Sequence, residues 1–377
     1  MTTLSFTGDI AFSKYFKDAW KDPTFIDEGV VRFLRDSDHV IANVECPLTA
    51  GDVSVDNSLT HASDPRAVAV LKHIGADYWT IANNHVLDCG VSGMQDTIQL
   101  AKENGCITFG AGMNKEEAAR PVILNEAGGI GIFGVTYKVQ PYMEAGADIP
   151  GCIMYPDEEA IAQTIRQIKK NNRWCILIAH AGEEFSSIPL PCMRKQYRKY
   201  LELGADIVIG HHPHVVQNYE TVGDKIIFYS LGNFIFDTNY QRIQNHTEYG
   251  MLVKLHLNED GFTWENLPLF IDRETQTIKP GKCPDIFCDI SSKEYNRLRP
   301  LAVKLFFINN KKAHCFSDPS WKDYKPKDWF DHYVSRLGKG NVIRMHMDEL
   351  FYHLRFWKLA DKKLYTYLLN SVKKEYL

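Results

Sequence analysis

The chain predicts an α/β protein. Short β-rich runs alternate with helical patterns through its first two hundred residues, and apolar or alternating runs without helices follow. Its 377 residues are 45% hydrophobic and 24% charged, an ordinary globular composition with enough apolar side chains for a sizeable core. At roughly 100–200 residues per domain, that length holds two or three domains, or one large body with an appendage.

The elements follow in order. Leu4–Thr7, His39–Asn43, Tyr78–Ala82, Cys106–Phe109, Cys175–Ala179 and Ile207–Ile209 read as strands. Apolar residues recur at helical spacing in Pro65–Ile74, Val91–Glu103, Pro156–Asn171 and Pro191–Leu203. Pro121–Asn125 and Ile130–Val135, joined across Gly128-Gly129, read as a hairpin. After Gly210, Lys225–Ser230, Gly250–Leu257 and Phe262–Phe270 follow one another without helices, and Asn258-Glu259-Asp260-Gly261 reads as a turn. This part is therefore expected to be antiparallel. Crossover helices combined with hairpins imply two sheets packed face to face, with helices outside. Near Lys279-Pro280-Gly281 the pattern breaks, which divides the chain into a body, residues 1–280, and an extension, residues 281–377. Asp328–Leu337 and Met347–Leu369 carry apolar and aromatic residues at helical spacing, so the extension is expected to be mainly helical.

Charge separates the two parts. The chain carries −4 overall, whereas residues 286–377 alone carry +8 and residues 1–285 carry −12. An acidic body argues against nucleic acid as a partner. The basic, aromatic-rich extension is expected to pack on the body or on a second copy, or to contact an anionic polymer, a synthase or a membrane surface. No apolar run approaches the ~18 residues that span a bilayer, and the first residues are neither basic nor apolar enough for a signal. The expected location is cytoplasmic, with peripheral membrane association left to the basic extension. Nine scattered cysteines read as reduced thiols. Cys283 and Cys288 stand close, but no second pair or neighbouring histidine completes a zinc site. No Gly-x-Gly-x-x-Gly leads from an expected strand into a helix, and a phosphate loop and a serine elbow are absent, so no nucleotide cofactor is implied.

The chemistry concentrates at the carboxyl ends of the expected strands, where ligands of open α/β sheets collect. Gly210-His211-His212-Pro213-His214 follows Ile207–Ile209, and three histidines in four positions of a chain with 14 are not an accident of composition. A strand end and a proline-stiffened turn can aim two imidazoles at one ion. Asp9, Glu45, Asn83-Asn84-His85 and His180-Ala181-Gly182-Glu183-Glu184 hold the same position after other strands. A mixed set of carboxylate, amide and imidazole suits one or two divalent ions of Mn, Fe or Zn in a hydrolytic site, unlike the thiolates of structural zinc.

Gly8-Asp9, Asn43–Thr49, Ala82–Gly90, His180–Phe185, Gly210–Val216 and Ser230–Phe236 together resemble, in order and spacing, the CapA family of bacterial capsule and poly-γ-glutamate synthesis proteins. The resemblance covers about residues 3–270. That family is similar to the calcineurin-like metallophosphoesterases, which implies a four-layer α/β/β/α sandwich for the body. It further implies that Asn84, His180, His212 and His214 bind metal, that Asp9 is the first carboxylate, and that Glu45 takes the place of a bridging aspartate. His85 would assist the leaving group and Asp88 would orient His85. One departure stands out: Ala11 occupies the position of an expected histidine ligand, and His211 fills the variable slot of the histidine motif.

The expected function is thus metal-dependent hydrolysis of a phosphorylated or polymer-precursor substrate in surface-polymer synthesis. Glu184, with Glu183, would position water or substrate, and Asn233 serves either as a turn former or as a contact near the metal. Two alternatives stay open. One is a metal-dependent amide hydrolase; the other is a non-catalytic assembly or polymer-binding component that docks through the extension.

Overall fold

The computed structural model describes residues 1–52, 60–137, 143–155 and 157–299. Two sheets face each other. The first runs in the order β17 (Thr277–Pro280), β16 (Phe262–Asp272), β15 (Tyr249–Leu257), β1 (Thr2–Ile10), β2 (His39–Val44), β3 (Ala76–Thr80), β4 (Ile107–Phe109), and β14 (Asn233–Ile235) also pairs with β1. The second runs β12 (Tyr219–Val222), β13 (Lys225–Phe228), β11 (Ile207–His211), β10 (Trp174–His180), β7 (Ile130–Tyr137), β6 (Val122–Leu124), with β9 (Met154–Tyr155) beside β7. A small ribbon joins β5 (Ala111–Gly112) to β8 (Gly151–Cys152).

Alternation along the strands builds four layers. Leu4 and Phe6 of β1 meet Ile176 and Ile178 of β10 and Ile207 and Ile209 of β11 in a core between the sheets. The intervening residues Cys175, Leu177 and Ala179 of β10 turn the other way. They pack on Ile161, Ile165 and Ile168 of α5 (Glu158–Lys169) and on Met193, Tyr197 and Tyr200 of α6 (Pro191–Leu203). Across the molecule, Val40 and Ala42 of β2 and Trp79 of β3 pack on α1 (Glu28–Arg35), α2 (Val68–His73) and α3 (Gly90–Glu103). The result is an α/β/β/α sandwich. Each fully buried aliphatic side chain contributes on the order of 1.5–3 kcal/mol, so the three apolar layers carry the fold.

Punctuation in the sequence sets several boundaries. Pro191 occupies the first turn of α6 and Gly204 ends it in left-handed backbone, so the helix has the bounds its sequence predicts. Asn258 accepts hydrogen bonds from the N–H groups of Asp260 and Gly261, which makes the expected turn between β15 and β16. β6 and β7 form the expected antiparallel pair.

Other expectations need correction. The part after Gly210 is not wholly antiparallel: β13 pairs parallel with β11, and β14 pairs parallel with β1. Pro65–Ile74 opens as a 3-10 turn and becomes α-helical only at Val68, and β3 ends at Thr80 rather than Ala82. Gly281 still donates its N–H to the Pro268 carbonyl of the first sheet at 2.8 Å, whereas residues 286–298 lie against the second. There Ile286, Ile290, Tyr295 and Leu298 join the core beneath α6, and the Ile290 N–H donates to the Tyr219 carbonyl at 2.8 Å. The helices expected at Asp328–Leu337 and Met347–Leu369 lie outside the described residues.

Candidate metal centre

The seam between the sheets, at the carboxyl ends of β1, β2, β10 and β11, gathers most of the polar residues singled out by the sequence. Asp9 is the penultimate residue of β1, and Glu45 follows β2 with its N–H donated to the Ile10 carbonyl at 2.7 Å. His180 ends β10 beside His211, the last residue of β11. Close approach of backbones makes this possible: a Cβ on Gly210 would stand 2.0 Å from the Tyr229 carbonyl oxygen. His212 and His214 then adopt left-handed φ angles of 93° and 57°, a costly backbone for non-glycine residues that concentrates at functional sites.

Glu45 lies at the middle. It is fully buried, and neither carboxylate oxygen has a hydrogen-bond partner. Its Oε1 lies 3.1 Å from His180 Nε2 and 3.7 Å from His214 Nε2. Asn84 Oδ1 lies 2.7 Å from the same His180 nitrogen. Burial, then the charges of Asp9 and Glu184, push the Glu45 carboxyl well above the usual carboxylate range. Burial, then His212, pushes His180 well below the usual imidazole range.

The surrounding contacts aim these donors. The Asn43 side-chain amide donates to Asp9 Oδ1 at 2.7 Å, and His211 Nδ1 lies 2.9 Å from the same oxygen. Burial alone would raise Asp9, but the hydrogen bonds and charges of His211 and His214 outweigh it and hold the carboxyl well below its usual range. Asn233 gives its amide protons to Gln241 Oε1 and the Thr247 carbonyl, which turns its Oδ1 to His214 Nδ1 at 3.0 Å. His214 Nε2 is then left for a cation, the arrangement in which an outer contact fixes a ligand's tautomer.

Donor chemistry and spacing fit a divalent ion. Glu45, His180 and His212 offer donor atoms within 4.8 Å of one another; so do Asp9, Glu45 and His214, and also Glu184, His212 and His214. Two ligands at right angles and about 2.1 Å from an ion lie about 3 Å apart, close to the separations around His180 Nε2. A buried carboxylate that accepts no hydrogen bond and stands among imidazoles is what such an ion would neutralise.

At the edge of the cluster, Asp88 Oδ2 lies 2.7 Å from His85 Nδ1, and His85 Nε2 lies 3.9 Å from Glu45 Oε1. Glu184 is half-buried at the mouth. Beside it, Phe185 stacks on His214 and meets Tyr240 edge to face. Among the described residues, neither Cys283 nor Cys288 belongs to a group able to hold a metal.

Two contributors carry roles that the sequence reading does not assign. Asn43 opens the motif Asn43–Thr49, but inside a β-strand nothing local marks its side chain as the donor to Asp9. His61 stands in a polar stretch far from any motif, yet its ring packs 4.5 Å from that of His85, its backbone N–H donates to Asp88 Oδ2 at 2.6 Å, and it touches Phe236.

The family model described as "Bacterial capsule synthesis protein PGA_cap" matches residues 3–238. The PGA biosynthesis protein CapA of Bacillus subtilis is 33% identical over 266 residues, which cover 69% of this chain and 68% of that one. The capsule biosynthesis protein CapA of Bacillus anthracis is 30% identical over 269 residues, covering 69% of this chain and 64% of that one. The chain thus spans about two thirds of each relative's length. Among solved structures, a putative 5'-nucleotidase from Staphylococcus aureus is similar with a TM-score of 0.44 and 14% identity, covering 80% of this chain and 58% of that one. The matched residues 3–238 contain every donor from Asp9 to His214, together with Asn233; the chain belongs to the family of bacterial capsule synthesis proteins of the PGA_cap type.

Proposed function

We propose that the chain is a metal-dependent, phosphoesterase-like hydrolase that acts in the biosynthesis of a bacterial surface polymer of the poly-γ-glutamate type. The observation that carries the reading is Glu45, a buried carboxylate with no hydrogen-bond partner, set among His180, His212 and His214. Asp9, Glu45, Asn84, His180, His212 and His214 would hold one or two ions of Mn, Fe or Zn. Bound there, a divalent ion lowers the pKa of water toward about 7 and offsets charge on a phosphoryl oxygen.

The chain's own residues do the rest. The Nδ1–H of His85 donates to Asp88 Oδ2, which fixes the ring and leaves Nε2 facing Glu45. A protonated His85 can there give its Nε2 proton to a departing oxygen. Phe185 and Tyr240 meet edge to face beside Glu184 and put aromatic surface next to the centre. The two Bacillus relatives carry names of capsule and PGA biosynthesis, which supports a role in making such a polymer; the proposed substrate is a phosphorylated or polymer precursor. The basic residues 286–377 are the proposed contact for an anionic polymer, a synthase or a second copy, and binding through them should weaken with salt.

Hydrolysis of a simple phosphodiester by the Mn-loaded chain tests the reading. His85→Ala should lower turnover by about 10²–10⁴ while metal stays bound. A Mn-loaded wild type that cleaves no phosphate ester contradicts it, and cleavage of an amide instead would assign the centre to carbonyl chemistry.

A further inference from the structure

We infer that Glu184 is itself a metal ligand, closing the open side of the centre together with His212 and His214. The inference rests on the metal-centre reading above and adds a donor to it. Two of the three donor sets, Glu45 with His180 and His212 and Asp9 with Glu45 and His214, are wholly buried. The third joins Glu184 to the same two histidines, its donor atoms within 4.8 Å of one another, and only Glu184 in it is partly accessible.

The backbone on both sides of Glu184 holds it there. The Ala181 N–H donates to the His211 carbonyl at 3.0 Å, and the Phe185 N–H donates to the Pro213 carbonyl at 2.8 Å. The segment carrying Glu184 is therefore tied at both ends to the turn carrying His212 and His214. The Gln217 side-chain amide extends the tie to the Ser186 carbonyl. Gly182, at φ +137°, lets the segment pass against Pro213, where a Cβ would stand 3.0 Å from the proline Cγ. Phe185 takes a φ of +59° and stacks on His214. Three of the seven non-glycine residues with positive φ among the described residues, Phe185, His212 and His214, thus belong to this one contact.

Charge argues the same way. Among the described residues no lysine or arginine pairs with Glu184, and its carboxylate adds to the repulsion felt by Glu45, whose own oxygens accept no hydrogen bond. A third carboxylate beside Asp9 and Glu45 is compatible with them once a cation sits between. Glu184 also adds a hard oxygen donor to a pair of imidazoles, a combination that suits Mn and Fe.

Titration of the full chain with Mn²⁺, followed by calorimetry and elemental analysis, tests the assignment. Glu184→Gln should weaken Mn²⁺ binding at one site by at least about tenfold or lose one equivalent of ion. Glu184→Asp, which keeps the charge on a shorter stem, should fall between it and the wild type and serves if Glu184→Gln does not fold. Binding in the variants equal to that of the wild type overturns the inference and leaves the metal centre standing. A wild type that takes up no Mn²⁺ overturns both.

Discussion

At the scale of single residues, the proposed centre divides into candidate donors and the groups that aim them. Asp9, Glu45, His180, His212 and His214 were legible because each stands at or just past the carboxyl end of a strand, and a polar residue at such an end has little other reason to recur. The roles of Asn43 and His61 were not, because they arise only when distant segments meet. Burial and the neighbouring His85 push His61 down to about 2, so it is neutral at any working pH and acts through packing rather than charge. His61→Ala should therefore lower kcat about tenfold with KM and metal content nearly unchanged, since loosening a proton-transfer group by a fraction of an ångström is costly. His61→Phe, which keeps a ring against His85 and Phe236, should recover most of that loss. Steady-state kinetics checks this, and a wild-type kcat in His61→Ala contradicts it.

At the scale of elements, the strands and helices with strong periodicity or proline and glycine punctuation were readable, as α6 shows. α1 was not: only Val30 and Leu34 of its eight residues are buried, too few to mark a period. β14 has three residues and earns its place by pairing with β1 through Asp9 and Asn233, a tertiary contact that no local pattern reveals. β11 shows how an element serves the site, because Gly210 lets it pass against Tyr229 and so sets His211 to His214. Gly210→Ala should cost about 3 kcal/mol in urea unfolding, as a methyl driven into backbone forces the strands apart. Metal affinity should fall with it. An alanine variant as stable as the wild type would contradict this account of the strand.

At the scale of the whole molecule, the centre joins the two sheets. Asp9, Glu45 and Asn84 come from one, while His180, His212 and His214 come from the other, so a bound ion would staple the sandwich at its seam. The face-to-face packing was legible from the alternation of crossovers and hairpins. Which strands meet at the seam was not, because that depends on the packing of the sheets. Ion binding at a hundred times Kd adds about 2.7 kcal/mol of stability. Glu45 gives this term a pH dependence. Its folded pKa is raised, so in the ion-free protein its contribution is full below its ordinary value of 4.5 and is lost as pH rises through the raised one. The gap between the melting temperatures of the Mn-loaded and ion-free forms should therefore widen as pH rises above about 5. A gap that stays constant or narrows would contradict the placement of Glu45 at the centre.

Elemental analysis after equilibration with Mn²⁺, comparing the wild type with the His212→Ala/His214→Ala variant, tests the metal centre most directly. The account predicts about one to two ions per chain in the wild type and their loss in a variant that remains folded. A folded wild type without bound ion, or a variant that retains the full complement, would contradict it.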